Sequence, residues 1–247
     1  MPEHAKPFVY ETLNTKALHF SLSEIQSRMQ VQQPDALDLD YTRTMMGVLL
    51  FNSQPRTMVM IGLGGGSLAK FCYRHLPKTR IQVVEINPHV IALRDDFRVP
   101  PDDARFKVRL GDGADFVRLA PHPVDVLMVD GFDSRGQPPA LCSSQFYDDC
   151  YDMLEPNGLM VVNLHADPRS HATYAGRIQR AFDGEVIVVH DADHSNSIVF
   201  ACKGPLMRRF NSPLLRKPRG FDAAAWDDLM PAFNAVDRAL AQWRSAD

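Results

Sequence analysis

Thr57-Met58-Val59-Met60-Ile61-Gly62-Leu63-Gly64-Gly65-Gly66-Ser67-Leu68-Ala69-Lys70 is the stretch on which the reading of the fold turns. A short apolar run rich in Val, Ile and Met reads as a buried strand. It breaks into four glycines within five residues, then resumes with helical spacing. Strand, glycine turn and helix start form the layout that nucleotide-type cofactors use. Glycine lets the backbone turn sharply and approach a ligand, because no Cβ intervenes. The helix start adds free N–H groups and a positive dipole end. A glycine loop alone also serves as a tight structural turn, so the flanking chain has to decide.

Downstream, strand and helix patterns alternate. A helix through Leu68, Phe71 and Cys72 stops before Pro77, and Arg80-Ile81-Gln82-Val83-Val84-Glu85 is a strand ending on an acid. Pro88 opens a helix through Val90, Ile91 and Leu93. Phe106-Lys107-Val108-Arg109-Leu110 leads into Gly111-Asp112-Gly113 and a helix through Phe116 and Leu119. Val124-Asp125-Val126-Leu127-Met128-Val129 ends at Asp130, followed by a Gly- and Pro-rich loop over 131–139. A helix over 144–154, a strand over 159–164 and a helix over 169–182 come next. Strands over 185–190 and 196–202 then form a hairpin. Alternating βα units predict a parallel sheet with helices on both faces. A closing hairpin is the pattern of the class I methyltransferase-like (Rossmann-like) α/β fold, with a mostly parallel seven-stranded sheet whose final strand is antiparallel.

Upstream, Phe8-Val9-Tyr10-Glu11-Thr12-Leu13, Ala17-Leu18-His19-Phe20-Ser21 and Ile25-Gln26-Ser27-Arg28-Met29-Gln30-Val31 alternate like half-buried strands. They predict a small antiparallel β unit and, capped by Asp38 or Asp40, one helix through Tyr41, Met45, Val48 and Leu49 to Phe51. The expected organisation is therefore residues 1–50 for the β unit and linking helix, and 51–204 for the α/β domain. Residues 205–247 form a basic connector (Arg208, Arg209, Arg216, Lys217, Arg219) and an amphipathic helix. In that helix Trp226, Leu229, Phe233, Val236, Leu240 and Trp243 recur every three or four residues. A helix packed on its own domain is the simplest reading, with a dimer contact or a lid as the alternatives.

The whole chain supports an ordinary globular enzyme-sized unit. Its 247 residues are 45% hydrophobic and 23% charged. A net charge of −3 and a pI near 6.3 point away from a nucleic-acid partner. No apolar run reaches the roughly 20 residues of a membrane helix, so no membrane partner is expected. The start Met1-Pro2-Glu3-His4 has neither the basic flank nor the apolar core of a leader. Four scattered cysteines (Cys72, Cys142, Cys150, Cys202) without CxxC spacing read as buried reduced thiols, which suggests a cytoplasmic protein. His190, Asp191, Asp193 and His194 are metal-ligand types, but a hairpin turn is a poor cage, and no metal is expected.

In an open α/β sheet, ligands bind at the carboxyl ends of the strands, near the point where strand order reverses. The glycine loop, Glu85, Asp112 and Asp130 each fall at such an end. A carboxylate at Glu85 suits the two hydroxyls of a ribose. One at Asp112 suits an adenine amino group, with Gly113 keeping the backbone close. Helix capping by Asp112 and plain surface exposure of Glu85 are the structural alternatives.

These motifs together carry a resemblance. Ile61-Gly62-Leu63-Gly64-Gly65-Gly66, Val84-Glu85-Ile86-Asn87-Pro88, Gly111-Asp112-Gly113 and Val129-Asp130-Gly131-Phe132-Asp133 resemble the spermidine/spermine synthase (polyamine aminopropyltransferase) family over roughly residues 8 to 202. That resemblance implies a transferase, usually dimeric, that moves an aminopropyl group from decarboxylated S-adenosylmethionine to a small-molecule amine and leaves methylthioadenosine. By it Gln26, Gly62, Gly64, Gly65, Gly66, Glu85, Ile86, Asp112, Gly113 and Asp130 would bind the donor. Asp130 and Asp133 would be catalytic, Asp130 taking the proton that the attacking ammonium must lose. Tyr41, Asp133 and His165 would touch the acceptor. The chain departs from the family at Gly65, where members carry an aspartate facing the donor's aminopropyl amine, and at Ser67, where they carry glycine. A methyltransferase using intact S-adenosylmethionine, or a non-catalytic nucleoside-binding homologue, are the alternative functions.

Overall fold

The fold was analysed in a computed structural model, which describes residues 4–21, 25–120, 122–133, 136–165, 170–190, 196–210 and 217–246. Three strands come first, β1 (Phe8–Glu11), β2 (Thr15–His19) and β3 (Ile25–Gln30), paired antiparallel in that order. Two short helices follow, α1 (Asp40–Met45) and α2 (Val48–Phe51). The alternation then begins with β4 (Thr57–Ile61), α3 (Ser67–His75), β5 (Arg80–Glu85), α4 (Pro88–Ile91), β6 (Phe106–Leu110), α5 (Gly113–Arg118) and β7 (Val124–Val129). After a 3-10 turn at Pro139–Cys142 it continues through α6 (Ser144–Met153), β8 (Leu154–His165), α7 (His171–Ala181), β9 (Val186–His190) and β10 (Asn196–Cys202). Three helices end the chain: α8 (Leu206–Arg209), α9 (Ala223–Asp228) and α10 (Met230–Ala246).

The main sheet has the order β6-β5-β4-β7-β8-β10-β9. β4 pairs in parallel with both β5 and β7, and β10 runs antiparallel to β8 and β9. The expected seven-stranded methyltransferase-like sheet with its closing hairpin is therefore present. Chain order reverses at β4, since β5 lies on one side of it and β7 on the other. The central strands are apolar on both faces because helices cover both: Val59, Ile61, Leu127 and Val162 face one cluster, Met58, Met60, Val126 and Val161 the other.

The last helices belong to the second of these clusters. Trp226, Leu229, Phe233, Val236 and Leu240 are buried in it, so α10 packs on its own sheet, beside β9 and α1. The close passage of α10 also explains why the single helix expected over 40–51 is two. At Gly47 the backbone tightens into i→i+3 bonds (Gly47 N–H to Thr44 O, 2.8 Å), and a Cβ there would stand 2.6 Å from Val236 Cγ2. Neither aspartate caps α1, whose N-cap is Leu39. Asp38 instead pairs with Arg28 and accepts from Gln30 Nε2 at 2.8 Å, fastening the β unit to the helix. Helix α4 is shorter than expected, ending at Ile91 before Leu93. Asp191, Asp193 and His194 lie outside the described residues, and no group of three or more metal-ligand side chains occurs among those described. No helix among them is long and apolar enough to cross a membrane.

Candidate active site

Register sets the site. Ile61 is paired with Val84 on one side and Val129 on the other, and Val129 is paired with Val162. One residue further along, Gly62, Glu85, Asp130 and Asn163 form a single row across the carboxyl edge of four parallel strands. A cavity of about 1340 Å³ opens over this row, roofed on one side by the small β unit. Gln26, Tyr41, Gly62, Gly64, Glu85, Ile86, Asp112, Gly113, Asp130 and Asp133 all line it.

The loop after β4 needs glycine at its first position. Gly62 has φ +98°, and a Cβ there would come within 2.2 Å of the Asp130 carbonyl oxygen. At Gly113 a Cβ would meet Ile61 Cγ2 at 2.3 Å, so the start of α5 lies directly on β4. Two of the expected loop residues stand back from the cavity. Gly65 is pressed against Ser27 and Phe97, and Gly66 turns into α3 against Val99.

Glu85 is a buried acid with a defined task in the protein itself. Its Oε2 accepts the Leu63 N–H at 2.8 Å and its Oε1 accepts the Asn87 N–H at 2.8 Å. Burial pushes its pKa up, and these backbone N–H groups oppose that shift. Asp112 both lines the cavity and caps α5, its Oδ1 accepting from Ala114 N–H at 2.7 Å and Asp115 N–H at 3.2 Å. The capping alternative read from the sequence is thus realised on a residue that also faces the cavity.

At the other end, Asp130 is held from two sides. The Tyr41 hydroxyl donates to its Oδ2 at 3.2 Å, and Asn163 Nδ2 donates to its Oδ1 at 2.9 Å. Burial, then the charge of Asp130, raises the Tyr41 pKa well above that of an ordinary phenol, so Tyr41 stays a proton donor. Asn163 is itself buried, and its Oδ1 carries no hydrogen bond among the described residues. The amide orientation is fixed by chemistry, because a flipped Asn163 would set its oxygen against a carboxylate. Gln137 Nε2 donates to the Asn163 carbonyl at 2.9 Å and ties in the loop after β7. Asp133 sits on that loop, its backbone paired with Gly136 (Asp133 N–H to Gly136 O, 2.9 Å). His165 ends β8, and its side chain lies outside the described residues.

The four cysteines are buried with free thiols. Burial raises the pKa of each, Cys142 to about 11, so none is a nucleophile near neutrality. The arrangement is a cavity of about 1340 Å³ with a buried acid, Glu85, at one end and an oriented carboxylate, flanked by a phenol and an amide, at the other. It can bind a cationic amine and take its proton.

Residues 38–188 match the family model described as the spermine/spermidine synthase domain. The curated polyamine aminopropyltransferase of Chromobacterium violaceum is 38% identical over 194 residues, covering 78% of this chain and 74% of its own length. The eEF1A lysine and N-terminal methyltransferase of Danio rerio is 29% identical over 181 residues, or 64% of this chain and 25% of that protein. Among solved structures, a probable spermidine synthase from Corynebacterium glutamicum superposes with TM-score 0.69 at 19% identity, covering 92% and 91% of the two chains. Human methyltransferase-like protein 13 in complex with SAH gives 0.61 at 22% identity (82% and 93%). A spermidine synthase in complex with the transition-state analogue AdoDATO gives 0.61 at 19% (96% and 89%). At these identities the solved structures speak to the fold.

Proposed function

Since the chain belongs to the spermine/spermidine synthase family, we infer that it is a transferase that moves an aminopropyl group from decarboxylated S-adenosylmethionine to a small-molecule amine. Methylthioadenosine is the other product. In this reading Glu85 accepts from the ribose hydroxyls, and Asp112 with Gly113 and Ile86 holds the adenine. Gln26, Gly62 and Gly64, which line the cavity, pass the donor's sulfonium toward Asp130. The observation that carries the reading is the carboxylate of Asp130, fixed by Tyr41 and Asn163 at the sheet's reversal point.

The chemistry follows from charge. An ammonium has no lone pair, so Asp130 takes a proton from the acceptor nitrogen as it attacks the carbon bound to sulfur. The C–S bond breaks, its electrons neutralise the sulfonium, and the new C–N bond carries the aminopropyl group. Tyr41 and Asn163 orient the base, and Asp133 attracts the far end of the cationic amine. The exposed Phe8, Tyr10 and Ile25 of the N-terminal sheet offer surface for a homodimer, which light scattering tests.

A second reading, methyl transfer from intact S-adenosylmethionine, is favoured by Gly65. No carboxylate guards the donor tail there, and Ser27 Oγ and a Phe97 ring carbon would stand 2.7 and 2.8 Å from any Cβ. Incubating the protein with each donor and a panel of diamines, and weighing the products, separates the two. An aminopropylated product supports the first reading, a methylated one the second, and none overturns both.

A further inference from the structure

Residues 4–7 cross the nucleoside end of the cavity before the chain enters β1. His4, Ala5 and Lys6 line the cavity together with Glu85 and Asn87, and Pro7 is buried. Among the described residues one hydrogen bond fastens this stretch: Asn87 Nδ2 donates to the Ala5 carbonyl at 2.8 Å. Asn87 is only 6% exposed, and its other polar groups are engaged nearby. Its N–H goes to Glu85 Oε1 at 2.8 Å, and its Oδ1 accepts the His89 N–H at 2.9 Å, capping α4. One residue, Asn87, therefore joins the crossing segment to the acid at the end of β5.

We propose that residues 4–7 are a strap that closes over the bound nucleoside and is latched through Asn87, so that strap docking and nucleoside binding reinforce each other. The proposal rests on the assignment of Glu85 and Asp112 to the nucleoside. A surface segment held by one hydrogen bond belongs to the low-stability end of a structure, from which lids are drawn. A nucleoside between strap and loop gives that segment a second surface to rest on. Whatever affinity the ligand gains from a docked strap, the strap gains from the ligand.

The test is calorimetric titration with methylthioadenosine of the full chain, a variant lacking residues 2–6, Asn87→Ser, and the two changes combined. Serine keeps an oxygen for the His89 N–H, and so the cap of α4, but is too short to reach Ala5. Losing one buried hydrogen bond corresponds to a dissociation constant about five- to tenfold weaker, expected for each single change. The combined variant should bind no more weakly than the truncation alone, because without a strap the latch has nothing to hold. An unchanged constant in either single variant, or effects that multiply, overturns the strap. Should the truncation fail to fold, Asn87→Ser decides by itself. If the unaltered chain does not bind methylthioadenosine, the nucleoside assignment falls and the strap falls with it. Binding that is indifferent to the strap removes only the strap.

Discussion

Glu85 accepts the Leu63 N–H at 2.8 Å, so the acid that ends β5 holds the glycine loop that follows β4. The same carboxylate has two ligand-facing tasks in the proposed function, and its loss is felt in both binding and folding. Glu85→Ala should weaken methylthioadenosine binding by a factor of roughly 10² to 10⁴, the combined value of two hydrogen bonds to a charged group. Burial raises its folded pKa above the ordinary 4.5. The folded state therefore keeps this proton longer than the unfolded state. Its contribution to stability falls as pH rises from the ordinary value through the raised one, and is constant above it. Urea unfolding of the protein and of Glu85→Gln across that window should differ in slope, the variant lacking this fall.

Asp130→Asn should abolish turnover by a factor of roughly 10² to 10⁴, the usual worth of a general base, while methylthioadenosine still binds. Tyr41→Phe and Asn163→Ala leave the carboxylate in place but free to rotate. Each should lower kcat about tenfold and leave donor KM nearly unchanged. Because Tyr41 stays protonated well beyond neutrality, the pH profile should show no alkaline limb from its phenol. Single-turnover assays with mass detection check all three.

Gly62→Ala combines a strained φ of +98° with a Cβ placed 2.2 Å from the Asp130 carbonyl. It should cost about 2–4 kcal/mol, seen as a lowered midpoint in thermal unfolding. Gly113→Ala, which meets the Cγ2 of buried Ile61 at 2.3 Å but carries no strained φ, should cost less.

Gly65→Asp restores the acid that family members carry, but into space held by Ser27 and Phe97. Alone it should destabilise the fold by about 1–3 kcal/mol without sharpening preference for decarboxylated donor. Paired with Phe97→Ala, it should bind decarboxylated over intact S-adenosylmethionine more selectively than the unaltered chain. Calorimetry with the two donors measures the ratio.

Lys70 is buried on α3, its Nζ donating to the Phe97 carbonyl at 2.8 Å, and burial lowers its pKa from 10.5 to about 8. Between those values the unfolded chain binds more protons than the folded one, so stability rises with pH from about 8 to 10.5. Lys70→Met should remove that alkaline rise in urea unfolding, leaving stability level between about pH 8 and 10.5.

The α/β sheet was legible because its central parallel strands are buried on both faces, and Met58 to Ile61 or Leu127 to Val129 read as apolar runs whatever the context. Strand ends were legible too, since Glu85 and Asp130 are polar residues that stop such runs. The interruption at Gly47 was not, because it depends on α10, nearly two hundred positions later in the chain. Asn163 went unassigned for a related reason. An amide at a strand end acquires meaning only from the register that sets it beside Asp130. The strap at residues 4–7 left no sequence signal, since its contact is a backbone carbonyl, and every residue type has one.

The strand order places the seam of the cavity between β4 and β7. On one side, Gly62, Glu85 and Asp112 come from one uninterrupted piece of chain. On the other, Tyr41, Asp130 and Asn163 are gathered from separate pieces. In the proposed function, a change of amine therefore touches positions scattered along the chain, while Gly62, Glu85 and Asp112 on the donor side lie within one stretch of about fifty residues.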